Sequence, residues 1–299
     1  DFIFYARALA ERKRKTQPTT AAGYTFIINS IVAFNGSALP FSRLTRRWLC
    51  SYEGWLRGRG VTQSTISTYM RRVRSIHRQA RVELNDEELG HIVVPFDPFT
   101  SYRIPPEITE IERHIDLSHI RTLRDSEPMT QREALGRDVF FLSLYLMGMN
   151  AIDLMTCPPP IDGRIRYRRS KVEAKRGNAA TMSVRIIEEA QPIVQRYVGT
   201  NSAFDFAQRY VCVGDFRAAV NKGLSSICRR LNTPVITFYY ARHAFAEIAH
   251  QHLGVPLDDV ARCLNHSSQT RSITFRYAGR DYARIDDIQR QVADFVAAL

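Results

Sequence analysis

The sequence predicts a mainly α-helical fold with a small β-hairpin, an α+β arrangement in two domains. Three observations lead there. Apolar residues recur every three or four positions through most of residues 2–82. Prolines then break the pattern between about 83 and 108. Finally, one alternating run, GRIRYRRSKVEAKRGNAATMSVRI, stands inside an otherwise helical second half. The chain therefore reads as a helical domain over 1–94, a proline-rich linker over 95–108 and a second domain over 109–299.

In the first domain, Thr19 and Thr20 are positioned to start a helix that carries Tyr24, Ile27, Ile28, Ile31, Val32 and Phe34 on one side. Thr45 is a cap for another, with Trp48, Leu49, Tyr52, Trp55 and Leu56 on its apolar face. A third helix follows Gly60, with Ser64 as its expected cap and Ile66, Met70, Val73 and Ile76 inward. Arg71, Arg72, Arg74, Arg78 and Arg81 fill much of its remaining surface. No acid lies between Glu53 and Glu83, so this positive face favours phosphate contact over bland solvation. The stretch VVPFDPFTSYRIPPE holds four prolines and reads as the linker.

The second domain opens with one long apolar helix, REALGRDVFFLSLYLMGMNAIDLM, closed by Pro158, Pro159 and Pro160. The hairpin follows, with Arg176, Gly177 and Asn178 near its turn. Helices continue to the end, the last from Ile285 to Leu299 with Ile288, Val292, Phe295 and Val296 in one stripe.

A net charge of +12 and a pI near 9.8 imply a polyanionic partner. No apolar run approaches the roughly 20 residues that span a bilayer. Five scattered cysteines without CxxC or zinc-ligand spacing fit a reduced, cytoplasmic protein with no structural metal.

Residues 237–277 concentrate the chemistry. Arg242 and His243 open an apolar helix, a turn with Gly254 and Pro256 follows, and a short helix ends at Asn265-His266-Ser267-Ser268 before Tyr277. Arginine grips phosphate oxygens with a planar, permanently charged fork. A tyrosine set in positive charge is a covalent nucleophile, and a lysine on the hairpin is a proton donor for a leaving alkoxide. Tyr282 is the rival nucleophile, Lys175 and Arg168 are rivals for the donor, and His243 reads as structural.

The series ARHAFAEIA, LNHSS and TFRYAG, with the hairpin YRRSK and the helix ending GMNAIDL, resembles the tyrosine recombinases, the phage-integrase family. The C-terminal run DYARIDDIQRQVADFV looks most like integrases of Bacteroidetes mobile elements. The resemblance spans nearly the whole chain. It implies a SAM-like core-binding domain followed by a catalytic domain, and a site-specific recombinase working through a 3′-phosphotyrosyl intermediate and a four-way junction. Tyr277 matches the nucleophile, Arg242 the second phosphate-clamping arginine, His266 the phosphate-binding histidine and Lys171 the general acid. Tyr239 stands where His or Lys is common, and Asn150 where the family's first arginine usually stands. Arg137 and Arg169 are the candidate substitutes for that missing charge.

DNA contacts are expected from Arg71, Arg72, Arg74, Arg78, Arg168, Arg169 and Arg271. The implied partner is double-stranded DNA with inverted-repeat core sites, bound by a homotetramer associated with the bacterial nucleoid. Exchange of the C-terminal helix and accessory DNA-bending proteins are further options. No metal or nucleotide cofactor is implied. The missing arginine also motivates an alternative, a catalytically impaired architectural or regulatory DNA-binding protein. A type IB topoisomerase-like enzyme is the other.

Overall fold

The computed structural model describes residues 1–108, 115–169, 181–265 and 282–299. The chain divides into two compact units, Asp1–Ile111 and Glu112–Leu299.

The first unit packs four helices: α1 (Phe2–Arg14), α2 (Pro18–Asn35), α3 (Arg46–Gly58) and α4 (Gln63–Leu84). Their shared core includes Phe2, Ile27, Leu49, Tyr52, Met70 and Ile76. Thr45 caps α3 as expected, accepting from Trp48 N at 3.2 Å. On the same helix, Trp48 and Trp55 both stack on Tyr52, their ring centroids 5.2 and 6.0 Å from its own.

Two expected helix starts differ. The second helix begins at Pro18, which has the right φ for a first helical position and no N–H to satisfy. Thr19 and Thr20 therefore lie inside it. On α4 the cap is Thr62, whose hydroxyl accepts from Thr65 N. Ser64 instead ties down residue 108: its hydroxyl donates to Ile108 O at 2.9 Å and accepts from Ile108 N at 3.1 Å.

Residues 95–108, read from sequence as a linker, lie against this unit. Val94, Phe99 and Tyr102 join its core, Gln63 reaches Pro106 O at 3.1 Å, and Tyr102 donates to the Glu53 carboxylate. Proline excludes α-helix here, leaving one 3₁₀ turn at Pro98–Thr100, but it does not exclude packing.

The second unit contains α5 (Leu117–Asp125), α6 (Gln131–Tyr145), α7 (Ala151–Thr156), strands β1 (Arg164–Arg168) and β2 (Thr181–Arg185), α8 (Gln191–Arg196), α9 (Phe206–Arg209), α10 (Val213–Arg230), α11 (Tyr240–Glu247), α12 (Leu257–Cys263) and α13 (Tyr282–Ala298). The strands pair antiparallel, Arg164 opposite Arg185 and Arg168 opposite Thr181. The hairpin turn near Arg176 lies outside the described residues.

Helices α6 and α10 meet at backbone contact, because a Cβ on Gly136 would stand 2.6 Å from Leu224 N. The long apolar helix expected over 132–155 is two helices. Met147 and Gly148 both adopt left-handed φ, +56° and +69°, and turn the chain before α7. A π-helical turn, Ile248–His252, extends α11.

The terminal helix packs on its own unit. It buries Ile285, Ile288, Val292 and Val296. Gln289 Nε2 donates to Tyr145 O at 2.7 Å and to Arg185 O at 2.8 Å, joining the helix to both α6 and β2. Arg164 meets Asp286 with both terminal guanidinium nitrogens, at 2.5 and 2.9 Å. Among the described residues no helix is long and apolar enough to cross a membrane. Nor does any group of His, Cys, Asp or Glu there have a metal-holding arrangement.

Candidate active site

Arg242 sits in the first turn of α11 with its side chain turned inward, 6% exposed. Its Nη1 donates to Gly148 O at 2.8 Å, and its Nη2 donates to Leu264 O. The left-handed turn at Gly148 is what lets these groups meet: a Cβ there would fall 2.7 Å from Arg242 Cγ. The break in the expected long helix thus forms one wall of the site.

Arg169 enters from the hairpin and is also 6% exposed. Its Nη1 donates to Leu264 O at 3.2 Å and Asn265 O at 2.8 Å. Two buried guanidiniums therefore share one carbonyl. Asn265 holds that turn with a left-handed φ of +49°, a conformation asparagine tolerates. Residue 265 is the last described before the segment that carries His266.

Electrostatics follow from this crowding. Burial, and next the charge of Arg169, lower the Arg242 pKa to about 10. Tyr239, Tyr167 and Asp153 act in the opposite direction. Tyr167 itself is pushed up, first by burial and then by Asp153. Asp153 is buried, and Asn150 Nδ2 lies 3.5 Å from its Oδ2. Arg242, Arg169, Tyr239, Tyr167, Asp153 and Asn150 thus form one group.

Of the residues singled out in the sequence, the structure brings together Arg242, Tyr239, Asn150 and Arg169. Tyr239 is 42% exposed, edge-on to His243 with centroids 4.8 Å apart. Arg168 is exposed at the end of β1. Arg137 does not join the group. It donates to Ser126 O, which binds it to the end of α5, and pairs with its neighbour Asp138 at 3.5 Å. Tyr282 lies under the Arg164 guanidinium, 5.8 Å from ring centroid to Cζ. Lys171, Lys175, His266, Arg271 and Tyr277 lie outside the described residues.

Asp153 and Tyr167 had not been expected in this group. A signal for Tyr167 and Arg169 was present, because residues 165, 167 and 169 alternate onto one face of the strand, and Ile165 is fully buried.

In the first unit the arginines of α4 are less uniform than the sequence suggested. Arg71 pairs with Glu107 at 2.8 Å, Arg78 with Asp97 at 3.6 Å and Arg81 with Glu87 at 3.3 Å. These acids lie downstream and fold back onto the helix. Arg72 instead crosses to α2 and donates to Gly23 O at 3.3 Å. Arg71 and Arg72, with Thr19, Thr20, Thr68 and Ser75, line an open cavity of about 320 Å³ between α2 and α4.

Residues 1–84 match the family described as Phage integrase SAM-like domain. Solved structures match nearly the whole chain. A lambda integrase dimer bound to a COC′ core site is 16% identical with a TM-score of 0.64, over 89% of this chain and 90% of that one. The Tn1549 transposon integrase in complex with transposon right end DNA is 12% identical with a TM-score of 0.66, over 98% and 99%. The XerH site-specific recombinase bound to difH substrate is 13% identical with a TM-score of 0.58, over 97% and 81%. The chain has the fold of the tyrosine recombinases. No curated protein matches its sequence. Within the integrase fold, the SAM-like match falls on the α1–α4 unit, and the Arg242 group lies in the unit that follows.

Proposed function

We propose that this integrase-fold chain is a site-specific DNA recombinase that breaks and rejoins strands through a 3′-phosphotyrosyl link. The observation that carries this reading is the buried Arg242, seated beside a second guanidinium at the turn that leads into His266. Arginine forks in a site shielded from water stabilise charge on non-bridging phosphate oxygens far better than they would in solution. In the proposed reaction Tyr277 Oη attacks the scissile phosphorus and gives up its proton to solvent. The P–O5′ bond breaks, and the departing 5′-oxygen takes a proton from Lys171. The phosphotyrosyl ester retains the energy of the broken bond, so a 5′-hydroxyl from a second strand can reverse the step. His266 and Tyr239 hold the phosphate with Arg242.

On the first unit, the α2–α4 cavity and Arg71, Arg72, Arg74 and Arg78 are the proposed contacts to the DNA backbone. The carboxylates of Glu107 and Asp97 yield their arginines to phosphate on binding. Assembly as a tetramer on inverted-repeat DNA of a mobile element belongs to the same proposal.

A nicked suicide duplex that traps covalent intermediates tests the reading. A protein–DNA adduct that survives denaturation and disappears in Tyr277→Phe is expected. Tight DNA binding with no adduct, over several sequences and salt concentrations, would instead favour an architectural role. That second reading draws on Asn150, which faces Asp153 where the family's first arginine usually stands.

A further inference from the structure

We infer that the cavity bounded by α6, α8, α9 and α10 binds a free nucleotide, its phosphates on arginine and its base against an apolar, aromatic wall. This site stands apart from the Arg242 group. Gln131 and Arg132 line the cavity at the far end of α6 from the Met147–Gly148 turn, roughly 20 Å along the helix axis.

The cavity holds about 560 Å³, a size typical of small-molecule sites. The guanidiniums of Arg132, Arg196 and Arg209 line it. Two of them are fixed from behind. Arg196 Nη1 donates to Asp138 Oδ2 at 2.5 Å, and Asp138 is only 2% exposed. Arg209 lies over the Tyr197 ring, 5.4 Å from Cζ to the centroid, and its Nη2 meets Asp205 at 2.5 Å. A guanidinium carries N–H donors on both edges, so one carboxylate contact leaves the rest of the fork to face a ligand. Arg132 has no side-chain hydrogen bond or ion pair among the described residues. With three guanidiniums against the carboxylates of Asp138 and Asp205, the recess keeps a net positive charge and favours an anion.

The remaining wall is apolar and held in place. Tyr197 and Tyr210 end a column of rings in contact, Tyr197–Phe206–Phe216–Tyr210, with successive centroids 5.3, 4.5 and 5.4 Å apart. Tyr197 Oη also donates to Asp138 at 3.1 Å, so one buried carboxylate orients both a wall residue and a cation. Ala134, Leu135 and Ala219 complete the lining. A wall ordered before the ligand arrives lowers the cost of binding. Its rings and short side chains suit a flat aromatic group, and its arginines suit phosphate. A nucleotide joins those two parts in one molecule. Duplex DNA offers phosphate at its surface but keeps its bases stacked inside, so it would leave the apolar wall uncovered.

Isothermal titration of the whole chain tests this, with ADP, AMP, adenosine, sodium pyrophosphate and a short duplex as ligands. ADP is expected to saturate a single site. Adenosine and pyrophosphate each keep only half of the contacts and should bind at least about tenfold more weakly. Arg132→Ala should weaken ADP about tenfold. Ala219→Phe sets a ring into the cavity without removing a charge, and should abolish ADP binding. Arg132 is exposed, so Arg132→Glu, which reverses its charge, gives the same test if Ala219→Phe does not fold.

No saturable heat with either ADP or AMP overturns the inference. ADP binding that survives Arg132→Glu, or a folded Ala219→Phe, also overturns it by placing the nucleotide elsewhere on this basic chain. Pyrophosphate as tight as ADP would leave the aromatic wall without a role and defeat the nucleotide. Duplex binding weakened by Arg132→Glu as much as ADP binding would assign the cavity to the DNA backbone instead. None of these readouts depends on adduct formation, so the recombinase reading and this one stand or fall separately.

Discussion

His77 is an imidazole sealed inside the first unit, fully buried, edge-on to Phe41 and Phe99, with neither ring nitrogen hydrogen-bonded. Burial holds its pKa below 6.5, with Arg81 and Arg78 acting in the same direction and Asp97 against them. The unfolded chain therefore takes up a proton near pH 6.5 that the folded chain refuses, and stability falls as pH drops through that value. Urea unfolding of His77→Leu should show a smaller loss between pH 7 and pH 5 than the native chain. Equal losses would place the acid sensitivity elsewhere, with His119 of the second unit, also lowered by burial, the next to examine. Gly148→Ala makes a different residue-scale prediction. It sets a Cβ against Arg242 at a φ of +69°, so a stability loss of about 1–3 kcal/mol is expected, and adduct formation should fall with it. Sequence patterning made Arg242 and Asn150 easy to single out, because both stand in recognisable runs. It did not reveal that Arg169 and Arg242 meet at one carbonyl, since Arg169 and Leu264, 95 positions apart, are joined only by the completed fold.

At the scale of elements, periodicity located α2, α3, α4 and the terminal helix because each has an apolar stripe that must be covered. It missed what periodicity does not encode. The run 132–155 is apolar on nearly every side, so nothing in it marked the turn at Met147 and Gly148. The choice of Thr62 over Ser64 as the α4 cap was equally hidden, because Ser64 is drawn away by Ile108, far along the chain. Thr45→Ala removes a cap whose hydrogen bond is present, and should cost roughly 1 kcal/mol in chemical denaturation. Gln289→Leu should cost more, about 1–3 kcal/mol, because it leaves the carbonyls of Tyr145 and Arg185 without their buried donor. The anchors of α13 also bear on the expectation of helix exchange between protomers. In the single chain that helix is seated at home by Gln289, by the Arg164–Asp286 pair, and by Arg124, which donates to Ala297 O at 3.0 Å. Exchange would first have to undo these contacts.

For the whole molecule, the excess of positive charge predicts DNA binding that weakens steeply with salt, because each neutralised phosphate releases condensed counterions. Arg74→Ala should reduce the slope of log K against log [salt] by about one. Glu107→Gln, which frees Arg71 from its ion pair, should strengthen binding at every salt concentration. An unchanged slope in Arg74→Ala would remove α4 from the proposed interface. The break between the two helical stretches was legible in the sequence because proline ends helices wherever it falls. That residues 95–108 cling to the first unit was not, since Phe99 and Tyr102 become core only against α3 and α4. The aromatic stack on α3 has a practical consequence. Trp48 and Trp55 are the chain's two tryptophans, so emission excited at their absorption edge reports on the first unit alone, while circular dichroism sums the helices of both. A denaturation experiment recorded both ways therefore carries its own internal domain assignment: any interval between the two transitions measures how independently the halves unfold, with no label attached.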